Sequence, residues 1–209
     1  MFITLEGIEG SGKTTQIGRL VAFLEKRGIE CVATRQPGGT RIGETIRSIL
    51  LDPANGALSA KTELLLYLAD RSQHIFELIR PSLKEGKTVI CDRYFDATLV
   101  YQGFARGLNI ELIRQLHQIL FDDLKPDLTL LLDLAPRIGL QRAWRQLNSG
   151  QRPGRESRFE AETLAFHEKV RAGYLELARI EPDRFRIVDA ARSQDQVFNS
   201  IGKIVASFL

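Results

Sequence analysis

The sequence predicts an α/β protein: a three-layer fold in which a central, five-stranded parallel sheet lies between helices and a phosphate-binding loop follows the first strand. Three observations carry this reading. Short apolar runs rich in β-branched residues alternate with longer stretches of helical periodicity, the pattern of successive βαβ units. The first run leads directly into Gly7-Ile8-Glu9-Gly10-Ser11-Gly12-Lys13-Thr14, a glycine-rich turn ahead of a helical segment. The chain of 209 residues, 44% hydrophobic and 26% charged, has the size and composition of one packed domain, which excludes disordered, collagen-like and low-complexity chains.

Taken in order, strands are predicted at 2–6, 30–34, 88–91, 128–133 and 185–188. Helices are predicted at 13–27, 41–51, 61–84, 111–121, 136–147, 160–180 and 194–208. Three stretches break the rhythm: Gln36-Pro37-Gly38-Gly39-Thr40, residues 52–59, and residues 148–157 with their Gly-Gln-Arg-Pro-Gly core. Their Gly, Pro and Asn content predicts loops, none with the composition of an interdomain linker. A single domain over 1–209 is expected, with a mobile, closing lid at about 148–160.

No apolar run approaches the roughly 18 residues that a membrane helix requires. The first residues, Met1-Phe2-Ile3-Thr4-Leu5-Glu6, lack the basic and apolar regions of a secretory signal, so a cytoplasmic location and no membrane partner are expected. Cys31 and Cys91, in β-like apolar stretches, read as buried free thiols. Of the 29 basic residues, 21 are arginine and 8 lysine. Guanidinium forks grip phosphate oxygens in pairs, so the skew favours small phosphorylated ligands over nucleic acid.

The glycine turn matches G-x-x-x-x-G-K-[ST], with the strand before and helix after that the motif requires. Its backbone N–H groups, with the helix N-terminus, suit a β-phosphate. Gly7, Ile8, Glu9, Gly10, Ser11, Gly12, Lys13, Thr14 and Thr15 are therefore the candidate ATP-binding residues, Lys13 bridging β- and γ-phosphates and Thr14 reaching Mg²⁺. The guanine-reading Asn-Lys-x-Asp string and Asp-x-x-Gly are both absent, and the chain is short for a motor, which leaves a small kinase.

Transfer between two anionic nucleotides needs cations on both sides of the moving group. Ligands of an open parallel sheet sit beyond the carboxyl ends of its strands, where Arg35 and Arg93 fall, with Arg47 and Arg71 on adjoining helices. Asp92-Arg93-Tyr94 is the sharpest of these strings: Asp92 suits a Mg²⁺ contact while Arg93 reaches phosphate. Residues 134–159 hold Arg137, Arg142, Arg145, Arg152, Arg155 and Arg158 against the single acid Glu156. Pro153-Gly154 disfavours one continuous helix there, and a loop closing guanidiniums over the phosphates and excluding water is expected.

Together the strings Leu5 to Thr15, Thr34-Arg35-Gln36-Pro37-Gly38-Gly39-Thr40, Leu68-Ala69-Asp70-Arg71, Asp92-Arg93-Tyr94, Tyr101-Gln102-Gly103, Pro126-Asp127-Leu128-Thr129 and Arg158-Phe159-Glu160 resemble the thymidylate kinase family of P-loop nucleoside monophosphate kinases. The resemblance runs from residue 2 to 209. It implies a nucleoside monophosphate kinase fold, phosphorylation of dTMP to dTDP by Mg²⁺-ATP in dTTP synthesis, and a homodimer. Arg35, Arg47 and Arg93 would hold the acceptor phosphate, and Pro37 and Thr98 would also bind dTMP. Tyr67, Arg71 and Gln102 would read the base, Tyr101 would crowd a ribose 2′-hydroxyl, and Glu9 would sit near the deoxyribose 3′-hydroxyl. Gly10 stands where one branch of the family carries a catalytic arginine, so the chain resembles the bacterial-type branch, with Arg158 as the lid arginine. Lys13, Arg93, Arg158 and Glu9 form the implied catalytic set, and Thr14 and Asp92 the metal set.

Several positions depart from the family pattern: Gln36 for Glu, Tyr67 for Phe, Ala97 and Val100 for Ser and Ala, and Ser157 for Asp. They bear on acceptor selectivity more than on reaction class. The acceptor is itself a phosphate anion, so no strong general base is needed, and His74, His117 and His167 read as structural or solvent-facing. A kinase preferring another acceptor such as dUMP, and an ATP-binding regulatory protein without turnover, are the competing readings.

Overall fold

The structure is a computed structural model that describes residues 1–150 and 154–209, with Arg155 described in its backbone alone. Five parallel strands, β1 (Phe2–Glu6), β2 (Cys31–Arg35), β3 (Thr88–Asp92), β4 (Leu128–Asp133) and β5 (Phe185–Asp189), pair in the order β2-β3-β1-β4-β5. Every residue of β1 is buried, so helices cover both faces of the sheet centre. β2 and β5, at the edges, alternate between covered and open positions. Cys31 is for that reason only half-buried, while Cys91 is fully buried, and both are free thiols.

The helices are α1 (Lys13–Glu25), α2 (Arg41–Leu51), α3 (Ala60–His74), α4 (Arg80–Lys84), α5 (Phe95–Thr98), α6 (Ile110–Phe121), α7 (Pro136–Asn148), α8 (Leu164–Ile180) and α9 (Gln194–Ala206). Side-chain caps set most of their starts. Thr40, Ser59, Asn109 and Thr163 each accept an amide N–H of the first turn, and Ser193 and Gln196 form a reciprocal capping box. The Thr163 cap explains why α8 begins at Leu164 and not at residue 160. No helix among the described residues is long and apolar enough to cross a membrane.

Two stretches differ from the periodicity reading. The predicted helix 61–84 is interrupted by a π-helical turn, Ile75–Ile79, where Arg80 N–H bonds the Ile75 carbonyl. Pro81 follows and has no N–H to continue the regular ladder. The stretch after β3, where the periodicity predicts no helix, is helical: α5 (Phe95–Thr98) runs on into a second π-helical segment, Leu99–Ala105. Its wider turn obscures the 3.6-residue pattern, and it carries Tyr101 and Gln102 on a wall packed against α8.

The register brings the functional strand ends level. Leu5 and Arg35 both pair with Asp92, so the glycine turn after β1, the Arg35–Thr40 loop after β2 and Arg93 after β3 rise from one edge of the sheet.

Candidate active site

The turn after β1 closes tightly. A Cβ on Gly10, whose φ is +69°, would lie 2.1 Å from the Gly139 carbonyl oxygen at the start of α7. The loop thus packs backbone to backbone against α7, which accounts for glycine where a side chain would have no room. Lys13 reaches back through the loop: its Nζ donates to the carbonyls of Gly7 at 3.1 Å and Ile8 at 3.0 Å. Burial and then Arg93 lower its ammonium to about 8.

Arg93 adopts a left-handed φ of +65°, which turns its side chain from the end of β3 toward the glycine loop. Its Nη2 donates to the Gly7 carbonyl at 3.2 Å, to Glu9 Oε1 at 2.7 Å and to Tyr101 Oη at 2.9 Å. Tyr101 Oη donates to the same Glu9 oxygen at 2.6 Å. Lys13 and Arg93 therefore meet on the same loop. Glu9 is buried, which by itself disfavours its charge, but Arg93, then His167 and Lys13, outweigh burial and hold the carboxyl far below the usual range. Glu6 buttresses the turn from beneath, its Oε1 accepting Tyr94 N–H and its Oε2 Tyr174 Oη–H, both at 2.7 Å. Burial and the nearby Asp96 raise Glu6 to about 7.

Two cavities adjoin at this point. An open cleft is lined by Glu9, Gly10, Gly12 to Thr15, Arg35, Arg47, Asp92 and Arg93. The second, more enclosed, is lined by Pro37, Arg47, Tyr67, Arg71, Arg93, Thr98, Tyr101 and Gln102. Glu9, Gln36, Arg47 and Arg93 line both. Arg47 donates to the Pro37 carbonyl at 2.9 Å and pairs with Glu156 at 2.8 Å. Arg35 lines the open cleft alone and pairs with Glu44 at 2.8 Å.

In the enclosed cavity Arg71 is fully buried. Its Nε donates to Gln36 Oε1 at 3.1 Å and its Nη2 to Thr98 Oγ1 at 2.6 Å, while Nη1 has no partner among the described residues. Gln36 Nε2 donates to His74 Nδ1 at 2.9 Å. Burial, then Arg71, lower His74 to about 4, so the ring is neutral and can accept. An amide serves here because it accepts from one neighbour and donates to the other, which accounts for Gln36. Burial pushes the Tyr67 phenol up, keeping it neutral.

In the open cleft, Thr14 Oγ1 donates to Asp92 Oδ2 at 3.2 Å, and Asp92 Oδ1 is buried without a partner among the described residues. Two hard oxygens with spare capacity fit a magnesium-type cation completed by phosphate oxygens and water. Among the described residues no cluster of three or more His, Cys, Asp or Glu could hold a metal unaided.

Arg158 is not brought to the phosphate loop. It is 5% exposed, its Nη1 lies 2.7 Å from Glu63 Oε2, its Nε donates to the Leu50 carbonyl and its own N–H donates to the Leu51 carbonyl at 3.1 Å. A buried carboxylate and the C-terminal carbonyls of α2 hold its guanidinium in this arrangement. Of the other lid arginines, Arg152 and the side chain of Arg155 lie outside the described residues. The histidines are all buried, none facing solvent. His167 was not singled out by the sequence, yet its Nδ1 lies 3.2 Å from Glu9 Oε2 and its Nε2 donates to the Phe159 carbonyl at 3.0 Å. Glu63 was missed too, though it falls on the helix face of Tyr67 and Arg71, four and eight residues on.

The comparisons agree with this architecture. The family model described as thymidylate kinase matches residues 5–201. The chain is 56% identical over 207 residues to a thymidylate kinase of Desulfosudis oleivorans, covering 99% of this chain and 95% of that one. It is 59% identical over 201 residues to a thymidylate kinase of Desulforapulum autotrophicum, covering 96% and 88%. The crystal structure of thymidylate kinase from Ehrlichia chaffeensis superposes with a TM-score of 0.77 at 33% identity, covering 98% of each chain. The adjoining cavities, the glycine loop and these full-length likenesses lead to one conclusion: the chain belongs to the thymidylate kinase family.

Proposed function

We propose that the chain, acting as one catalytic domain, transfers the γ-phosphoryl group of ATP to dTMP, yielding ADP and dTDP for dTTP synthesis. One observation carries the reading: an open cleft on a phosphate-binding loop and a more enclosed cavity meet at Arg93, Glu9 and Arg47. The donor's phosphates would lie along Gly7 to Thr15, with Lys13 on the β- and γ-phosphates. Thr14 and Asp92 would hold Mg²⁺, which supplies charge neutralisation at the transferred oxygens. Arg35, Arg47 and Arg93 would draw the acceptor phosphate inward beside Pro37.

The enclosed cavity supports a thymine base. Tyr67 offers a face for stacking, the free Arg71 Nη1 a donor for the O4 carbonyl, and Gln102 an amide for N3. Thr98 anchors Arg71. Tyr101, held by Glu9 and Arg93, would crowd a 2′-hydroxyl, and Glu9 would meet the 3′-hydroxyl. No group need remove a proton from an acceptor that is already an anion, so the chain's residues act by positioning and by charge.

A homodimer accords with Phe76 and Ile119, each 76% exposed. A cytoplasmic location fits the substrates. The test is coupled ADP release with dTMP, dUMP, dCMP or AMP at equal concentration: ADP formation that depends on the acceptor and is fastest with dTMP supports the reading. ADP formation indifferent to acceptor would overturn it.

A further inference from the structure

We infer that Glu63, a residue outside both cavities, is a positioning residue that sets which base the enclosed cavity accepts, by fixing which end of the Gln102 amide faces the ligand. The inference rests on the proposed reading of that cavity as a base pocket.

Gln102 stands on its wall, buried, and one terminal atom of its amide lies 2.7 Å from Glu63 Oε1. An amide could in principle turn either end toward a neighbour. Here the neighbour decides. Glu63 has no solvent exposure and receives two guanidiniums: Arg158 Nη1 at 2.7 Å and Arg106 Nη2 at 3.3 Å, both on Oε2. A carboxylate that takes donors from two guanidiniums serves as an acceptor, so the atom facing it must be the amide nitrogen. The Gln102 carbonyl oxygen is thereby left for the cavity, an acceptor awaiting an N–H.

On the other side of the pocket Arg71 Nη1 is a buried donor without a partner. The two together form an acceptor and a donor in a fixed sense. A base carrying N3–H beside a C4 carbonyl, as thymine and uracil do, complements both. Cytosine, with a bare N3 and a C4 amino group, opposes both, and each mismatch leaves a buried polar group unpaired. Glu63 is thus the origin of the sense. Arg106, which also pairs with Glu162 at 2.6 Å, and Arg158 hold it in place.

The test is Glu63→Gln, which replaces an obligate acceptor by an amide able to donate, freeing Gln102 to present its nitrogen to the base. Specificity constants are measured for dTMP, dUMP and dCMP, with thermal unfolding alongside. The dTMP to dCMP ratio should fall about ten-fold or more, while the dTMP to dUMP ratio, which does not involve this edge, stays within two-fold of wild type. Glu63→Asp, still an acceptor only, should keep both ratios even if it weakens binding. Where Glu63→Gln does not fold, Glu63→Gln with Arg106→Gln removes one charge of each sign and carries the same prediction. An unchanged dTMP to dCMP ratio in the folded variant overturns the inference while leaving the kinase reading intact. Wild-type enzyme without any pyrimidine preference would overturn the base-pocket reading itself.

Discussion

Replacing Arg93 by glutamine removes the cation that joins the two cavities. Its Nη2 makes three contacts, of which the 2.7 Å pair with Glu9 is the strongest because Glu9 is only 6% exposed. Deleting one member of a buried ion pair costs about 3–5 kcal/mol, much of it from the charge left behind. In a chain of this length that lowers the melting temperature by about 6–20 °C. Turnover should fall further, by about 10³-fold or more, since an arginine at developing phosphoryl charge is worth that much. Differential scanning fluorimetry and steady-state ADP release read the two effects separately. The double variant Glu9→Gln/Arg93→Gln removes both charges and lets two amides pair. It should regain most of the lost stability and little of the turnover. Three results refute this reasoning: Arg93→Gln melting with wild type, near-normal turnover, or a double variant as labile as the single one.

Other consequences follow from the same contacts. Gly10→Ala drives a Cβ into the Gly139 carbonyl and should cost at least about 2 kcal/mol while raising the KM for ATP; a melting curve and an ATP titration check both. Asp70, which accepts Gly38 N–H at 2.8 Å, is raised by burial from 3.8 to about 7. Between those values the folded chain holds a proton the unfolded chain has released, so its contribution is fully present below pH 3.8 and lost as pH rises through 7. Asp70→Asn escapes that loss, and its melting temperature relative to wild type should climb between pH 5 and pH 8, by the equivalent of roughly 3 kcal/mol. A difference that is flat with pH would contradict it. Asp92→Asn should raise the Mg²⁺ concentration needed for half-maximal rate about ten-fold, in a titration from chelator-treated enzyme.

How much of this was legible beforehand depends on whether the chemistry is contiguous. The glycine loop is readable because a phosphate cradle needs its residues in one run between a strand and a helix. Asp92-Arg93 is readable for a related reason, lying where a parallel sheet presents its ligands. The five strands were found to within a residue or so because buried parallel strands are simply apolar. Arg158 shows the limit. A cluster of arginines reports charge but not direction, and the partner that fixed its direction, Glu63, lies almost a hundred residues earlier inside an ordinary-looking helix. His167 and Glu6 were silent in the same way, since a lone histidine or acid declares nothing until the fold puts a partner beside it. The helix carrying Tyr101 and Gln102 escaped because its π-turn has the wrong period for the pattern sought.

Two cavities that meet at Arg93 imply direct passage of a phosphoryl group between them, without release to water. ATP labelled with ³²P in its γ-phosphate, incubated with enzyme and dTMP, tests that passage in one chromatogram. One labelled dTDP should appear for each ADP formed, the label in its terminal phosphate. Label appearing as inorganic phosphate, with dTMP left unchanged, would contradict it.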